Sequence, residues 1–127
     1  MLFRSCSNEA LCALSATIYL SLLGRQGLRE AALQCARKAK YAHDTLLASG
    51  AFEPVFPAPF FQEFTLRYRG DVEALNRALL EDGILGGFDA GRADPALSNC
   101  WIVAVTEKRT RAEIDALARK AVLCCGQ

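Results

Sequence analysis

The sequence is poor in the residues that build reactive centres. Of its 127 residues one is histidine, His43, one is tryptophan, and the six cysteines include no Cys-x-x-Cys pair. Zinc sites draw on cysteine and histidine clustered at short spacings, so no metal site is expected. Neither sign of charge is in excess: 15 Lys and Arg stand against 14 Asp and Glu, for a formal net charge of +1, and the two are interspersed. Without a basic stripe to neutralise phosphates, nucleic acid is not an expected partner. No uninterrupted apolar run approaches the roughly 20 residues that cross a bilayer, and no internal repeat or low-complexity segment occurs. Residues 1–4, followed by an apolar stretch over 11–23, superficially look like a secretory leader. Glu9 places an acid ahead of that stretch, and Gly24-Arg25-Gln26 gives no small-x-small cleavage site. The segment is expected to be a buried helix, the chain cytoplasmic, and a membrane no partner.

What is present suits one globular domain, since 52% hydrophobic residues in a chain of this length can enclose a sizeable core. Cys12, Cys35 and Cys100 lie within apolar patterns and are expected as buried free thiols, while Cys124 and Cys125 sit near a fraying end. Ser7 or Asn8 can cap a first helix that Gly24 ends. Leu11, Leu14, Ile18 and Leu22 form one apolar stripe of it, and Cys12, Tyr19 and Leu23 a second. A helix apolar nearly all round is buried nearly all round. So short a chain offers too little to cover it, which implies a partner surface. A second helix is expected over 28–48, with Leu28, Ala31, Ala32, Cys35, Ala39, Ala42 and Leu46 inward and Gly50 closing it. His43 falls beside that stripe and receives no role.

Pro54, Pro57 and Pro59 allow only a short edge strand or an extended connector in 52–60. Alternation of Phe60, Phe64, Leu66 and Tyr68 with Glu63, Thr65, Arg67 and Arg69 then predicts a half-buried strand. Asp71 caps a helix carrying Val72, Leu75 and Leu79, Gly83 ends it, and a short strand is expected over 84–88. Gly86-Gly87 lacks the spacing of a nucleotide fingerprint and reads as a bulge or a close backbone approach. Residues 89–99 read as a loop. The apolar run 100–105 is expected as a strand covered on both faces, lying between the two preceding strands and antiparallel to both. Thr110-Arg111-Ala112-Glu113 fits a capping box, and Ile114, Leu117, Ala118 and Ala121 give the inward face of the helix it starts. The expected fold is a two-layer α+β domain with a split βαβ-type, mostly antiparallel sheet and two leading helices, residues 1–50 being helical and 51–127 the αβ sheet unit. Glu107, Lys108 and Arg109 are thereby displayed at the carboxyl end of a strand, where ligands of open α/β sheets tend to bind. Solvated loop charge is the ordinary alternative.

Four segments together resemble one family: SNEALCALSATIYLSLLGRQGLRE over 7–30, FFQEF over 60–64, GILGGF over 83–88 and NCWIVAVTEKRTRAEIDAL over 99–117. The resemblance is to the glycine cleavage system P protein, glycine dehydrogenase (decarboxylating), in its subunit 1 form, and to its carboxyl-terminal portion; residues 1–4 look like a truncated start. It implies the small domain of the pyridoxal phosphate (PLP)-dependent, fold type I transferase architecture. It further implies a missing large domain, a subunit 2 that carries the cofactor lysine, a lipoyl H protein as partner, and an oligomer. None of Lys38, Lys40, Lys108 and Lys120 has the apolar setting that suits imine formation, so no catalytic and no cofactor-binding residue is expected in this chain, which should be inactive alone. Ser7, Asn8, Thr106, Glu107, Lys108 and Arg109 are the candidates for an interface or active-site rim. An Arg from the small domain can hold a substrate carboxylate in such enzymes, whereas pairing of Arg109 with Glu113 or Asp115 is the plainer use. Two other readings are the small domain of another fold type I enzyme, such as an aminotransferase or cysteine desulfurase, and a free-standing split-βαβ binding module.

Overall fold

The computed structural model describes residues 9–125, so Ser7 and Asn8, and the helix cap expected from them, lie outside the described residues. The order is helix α1 (Glu9–Ala48), strands β1 (Phe52–Pro54) and β2 (Glu63–Tyr68), helix α2 (Val72–Glu81), strands β3 (Phe88–Asp89) and β4 (Cys100–Ala104), and helix α3 (Arg111–Cys125). The backbone leaves the helical region at Gly24, with φ 58° and ψ −174°. That combination is open almost exclusively to glycine, which is why the break falls there. The chain divides into two compact units, Met1–Leu33 and Gln34–Gln127. Residues 34–48 of α1 fall in the second of these units.

In the first unit the described helix buries none of its apolar stripe: Leu11, Leu14, Ile18, Tyr19, Leu20 and Leu22 are all at least half exposed. Cys12, expected buried, is exposed as well. Within its own unit that apolar surface is left bare.

In the second unit the sheet order is β1-β2-β4-β3, all neighbouring pairs antiparallel. β4 thus lies between β2 and β3, as its apolar sequence predicts, and β1 is the short edge strand that the prolines permit. Partners Phe64 and Val103, and Leu66 and Trp101, put these side chains on one face with Phe52 and Tyr68. Against that face pack Ala39, Ala42 and Leu46 of α1, Val72, Leu75 and Leu79 of α2, and Ile114, Ala118 and Ala121 of α3. The helical periodicities thus mark the core, and Cys35 and Cys100 are buried. β4 is not covered on both faces. On the face away from Trp101, Cys100 is buried, but Ile102 is half-buried and Ala104 exposed.

Two strands differ from expectation in their bounds. β2 starts at Glu63, three residues after Phe60, and β3 holds only Phe88–Asp89. The glycines explain the second case. A Cβ on Gly86 would lie 2.3 Å from Asn76 Oδ1, and one on Gly87 2.4 Å from the Ile102 carbonyl, so this stretch is pressed against its neighbours. The 89–99 loop contains two short 3-10 turns, Ala90–Arg92 and Pro95–Leu97, opened by the side chains of Asp89 and Asp94. Instead of fraying, the end of α3 keeps Cys124 and Cys125 packed against the core, helped by the buried Tyr68 hydroxyl donating to the Ala121 carbonyl at 2.7 Å.

Candidate functional site: the elbow between β4 and α3

The strand edge and the helix start are both fixed by local chemistry. Val105 N–H donates to the Gln62 carbonyl at 2.8 Å, extending β4 by one bond beyond its formal end. Five residues later the capping box is formed. Thr110 N–H donates to Glu113 Oε2 at 2.7 Å, and Glu113 N–H to Thr110 Oγ1 at 3.3 Å, satisfying donors that a helix start leaves open. The Thr110 N–H, followed by the Thr110 hydroxyl donating to Oε2 at 2.9 Å, holds the Glu113 carboxyl below its ordinary pKa. Between the two anchors the chain makes a tight turn, with Arg109 N–H donating to the Thr106 carbonyl at 3.2 Å and Lys108 N–H to Thr106 Oγ1 at 3.4 Å.

Of the sequence-derived candidates, Thr106, Glu107, Lys108 and Arg109 thus share one turn, but they do not face one way. Glu107 is turned toward α1, where the Cys35 thiol donates to its Oε2 at 3.2 Å. Its own N–H donates to Cys35 Sγ at 3.3 Å, and the Lys38 ammonium donates to its carbonyl oxygen. The thiol bond, followed by the residue's own backbone N–H, pulls the Glu107 carboxyl below its usual pKa. Burial, then the bond to Glu107, pushes the Cys35 thiol up. Lys108 and Arg109 remain exposed. The Arg109 guanidinium reaches Glu113 at 3.5 Å with both side chains about half exposed, a pairing worth little in water. Beside Arg109 opens a groove of about 370 Å³ whose walls include Val103, Val105 and Leu117.

A second junction ties α1 to α3. The Tyr41 hydroxyl donates to Asp115 Oδ1 at 2.6 Å and accepts from Arg111 Nε at 3.0 Å. Asp115 is thereby engaged by Tyr41, with Arg109 turned to Glu113 instead. His43 packs tilted against Phe60 and meets Phe64 edge-on, an aromatic packing role. Sequence reasoning missed Cys35, Lys38 and Tyr41. They stand on one stretch of α1 some 70 residues from their partners, and only the i, i+3 spacing of Cys35 and Lys38 hinted that both reach one neighbour.

The remaining chemistry is modest. Among the described residues no group of three or more His, Cys, Asp or Glu side chains could hold a metal ion, and no helix is long and apolar enough to cross a membrane. The lysines do not fit an imine-forming role: Lys38 is held by Glu107, Lys40 pairs with Asp44, Lys120 pairs with Asp82 at 2.7 Å, and Lys108 is exposed.

The architecture defines a small α+β unit, with helices over one face of a four-stranded antiparallel sheet and a charged elbow at one strand end. The family model described as glycine cleavage system P-protein matches residues 4–120; the chain belongs to that family. The chain is 54% identical over 112 residues to the probable glycine dehydrogenase (decarboxylating) subunit 1 of Moorella thermoacetica, covering 88% of this chain and 25% of that relative. The counterpart from Anoxybacillus flavithermus is 45% identical over 115 residues, covering 91% of this chain and 25% of its own length. The crystal structure of a glycine decarboxylase (P-protein) of the glycine cleavage system, in inhibitor-bound form, superposes with a TM-score of 0.77 at 34% identity, over 88% of this chain and 25% of the solved one. The chain therefore spans about a quarter of the length of these relatives. These matches establish a quarter-length portion; the carboxyl-terminal placement implied by the resemblance is not upheld by them. Membership of this family sets aside the aminotransferase and cysteine desulfurase readings.

Proposed function

We propose that this chain is a supporting portion of glycine dehydrogenase (decarboxylating) subunit 1, which packs against the rest of that subunit and against subunit 2. It carries no catalytic residue of its own. On this reading its fold is the small domain of a fold type I transferase. PLP, bound through a lysine of subunit 2, supplies the electron sink for glycine decarboxylation, and the aminomethyl group passes to the lipoyl arm of H protein, all in the cytoplasm. The observation that carries the reading is the bare apolar helix: Leu11 is 64%, Leu14 56% and Leu22 82% exposed. A contiguous apolar surface of this kind marks a contact with another protein surface. The family relation supports the rest of subunit 1 and subunit 2 as what covers that surface, and relatives some four times longer have the mass to do so. The elbow of Thr106, Glu107, Lys108 and Arg109 is the charged contact of the same assembly, with Lys108 and Arg109 at its rim.

A chimera tests this. The matching quarter of the Moorella thermoacetica subunit 1 is replaced by this chain, and exchange of labelled bicarbonate into glycine is assayed with subunit 2 and H protein. Exchange activity near that of the parent is expected, with none from this chain alone. A folded chimera that assembles but shows no exchange contradicts the reading.

A further inference from the structure

All three polar groups of Glu107 are taken up by α1. Its N–H and its carboxylate both meet the one thiol of Cys35, at 3.3 and 3.2 Å, and its carbonyl accepts from Lys38. A glutamate in a strand-to-helix turn ordinarily gives its carboxylate to solvent or to a ligand, and its backbone to water. Here the backbone N–H, the carbonyl and one carboxylate oxygen, Oε2, are each engaged by α1. Cys35 is 6% exposed, so the contact is sheltered on the thiol side, and the two α1 residues stand one turn apart on the side of the helix that faces the elbow. The turn is also tied within itself through Thr106 and at its exit by the Thr110–Glu113 capping box. Glu107 is thus the point where the elbow is fastened to the body of the domain, and the next two residues, Lys108 and Arg109, are the ones it projects.

We propose that Cys35 and Lys38 are positioning residues, which clamp Glu107 from α1 so that Lys108 and Arg109 are presented in a fixed geometry to subunit 2. The proposal rests on the reading of the elbow as a subunit contact given above. It assigns a division of labour that the charge cluster alone does not show, with Glu107 serving the fold and its two neighbours the partner. Pre-organisation of this kind lowers the ordering cost of association. It predicts that removing the clamp weakens the partner contact through Lys108 and Arg109 and by no other route.

The clamp is measured on this chain by hydrogen exchange of the Lys108 and Arg109 amides. Cys35→Ala and Lys38→Met should each speed exchange there about tenfold, with little change in the strands. Cys35→Ser, which keeps a donor and an acceptor, should restore most of the protection. Unchanged exchange in Cys35→Ala overturns the clamp. The consequence is measured in the chimera by titrating subunit 2 against exchange activity. Cys35→Ala and the double change Lys108→Ala with Arg109→Ala should each raise the half-saturating concentration about fivefold or more, with the maximal rate held. Combining them should add nothing, because residues acting through one contact are not additive. Additive effects, or a Cys35→Ala chimera that titrates like the parent chimera, overturn the proposal while leaving the chimera's activity standing. An inactive parent chimera removes the functional reading itself, and with it the presentation to subunit 2.

Discussion

Asn76 holds the only tryptophan in place: its Oδ1 accepts from Trp101 Nε1 at 3.0 Å, while its Nδ2 donates to the Gly87 carbonyl at 2.8 Å. One α2 side chain thus closes the gap between the central strand and the glycine pair beside it. Asn76→Ala leaves a buried indole N–H and a carbonyl without partners. A loss of about 2–6 kcal/mol is expected, at about 1–3 kcal/mol for each of the two orphaned groups. Denaturant titration followed by the fluorescence of Trp101 reads it directly.

The glycines of this region differ in kind. Gly87→Ala places a methyl group 2.4 Å from the Ile102 carbonyl and 2.6 Å from Trp101 Nε1, neither of which can retreat without breaking β3–β4 pairing or the Asn76 bond. Overpacking of this sort costs about 1–3 kcal/mol. Gly24→Ala meets nothing within 4 Å, and its cost is conformational alone, about 1–3 kcal/mol for backbone in that region. The two are separated by where the loss appears. Trp101 fluorescence should report the first, and helical circular dichroism of the amino-terminal unit the second.

Acid should loosen the elbow before the core. The Glu107 carboxyl is lowered first by the Cys35 bond and the Glu113 carboxyl first by its bonds to Thr110. A carboxylate whose folded pKa is depressed contributes stability above its unfolded value and loses it as pH falls through the folded one. Melting temperature should therefore decline as pH drops below the ordinary carboxylate range. The decline should be shallower in Glu107→Gln with Glu113→Gln than in the parent chain, and equal acid limbs would dissociate these contacts from stability.

The exposed stripe should matter to assembly and not to folding. Leu14→Lys with Ile18→Lys changes two side chains that are 56% and 51% exposed. Surface substitutions of this kind stay within about 0.5 kcal/mol, so the denaturation of the sheet unit is expected to be unchanged. Binding to the partner subunits should be lost, and retention of binding would move the interface elsewhere.

Much of this fold is legible in the chain itself. The alternation of Phe64, Leu66 and Tyr68, the Asp71 and Thr110 caps and the helical stripe through Cys35, Ala39, Ala42 and Leu46 each reflect a local rule, and local rules are what sequence exposes. The central position of β4 follows from its unbroken apolar run. The open second face of that strand does not follow, because Ile102 and Ala104 are apolar whether or not anything in this chain covers them. Cys12 fails for the same reason, since an apolar pattern marks a surface suited to burial and does not say whether these residues bury it. At the elbow the capping box was readable, but the orientation of Glu107 was not. It depends on Cys35 and Lys38, which meet it only after the chain has folded back across some 70 residues.

The central claim is that this chain is built to dock, and light scattering on the purified chain mixed with glycine dehydrogenase subunit 2 tests it most directly. A stable complex whose mass equals the sum of the two in whole-number ratio, lost in the Leu14→Lys, Ile18→Lys variant, is the predicted result. A chain that stays a dispersed monomer at every concentration of subunit 2, with its apolar helix unchanged in hydrogen exchange, would contradict it.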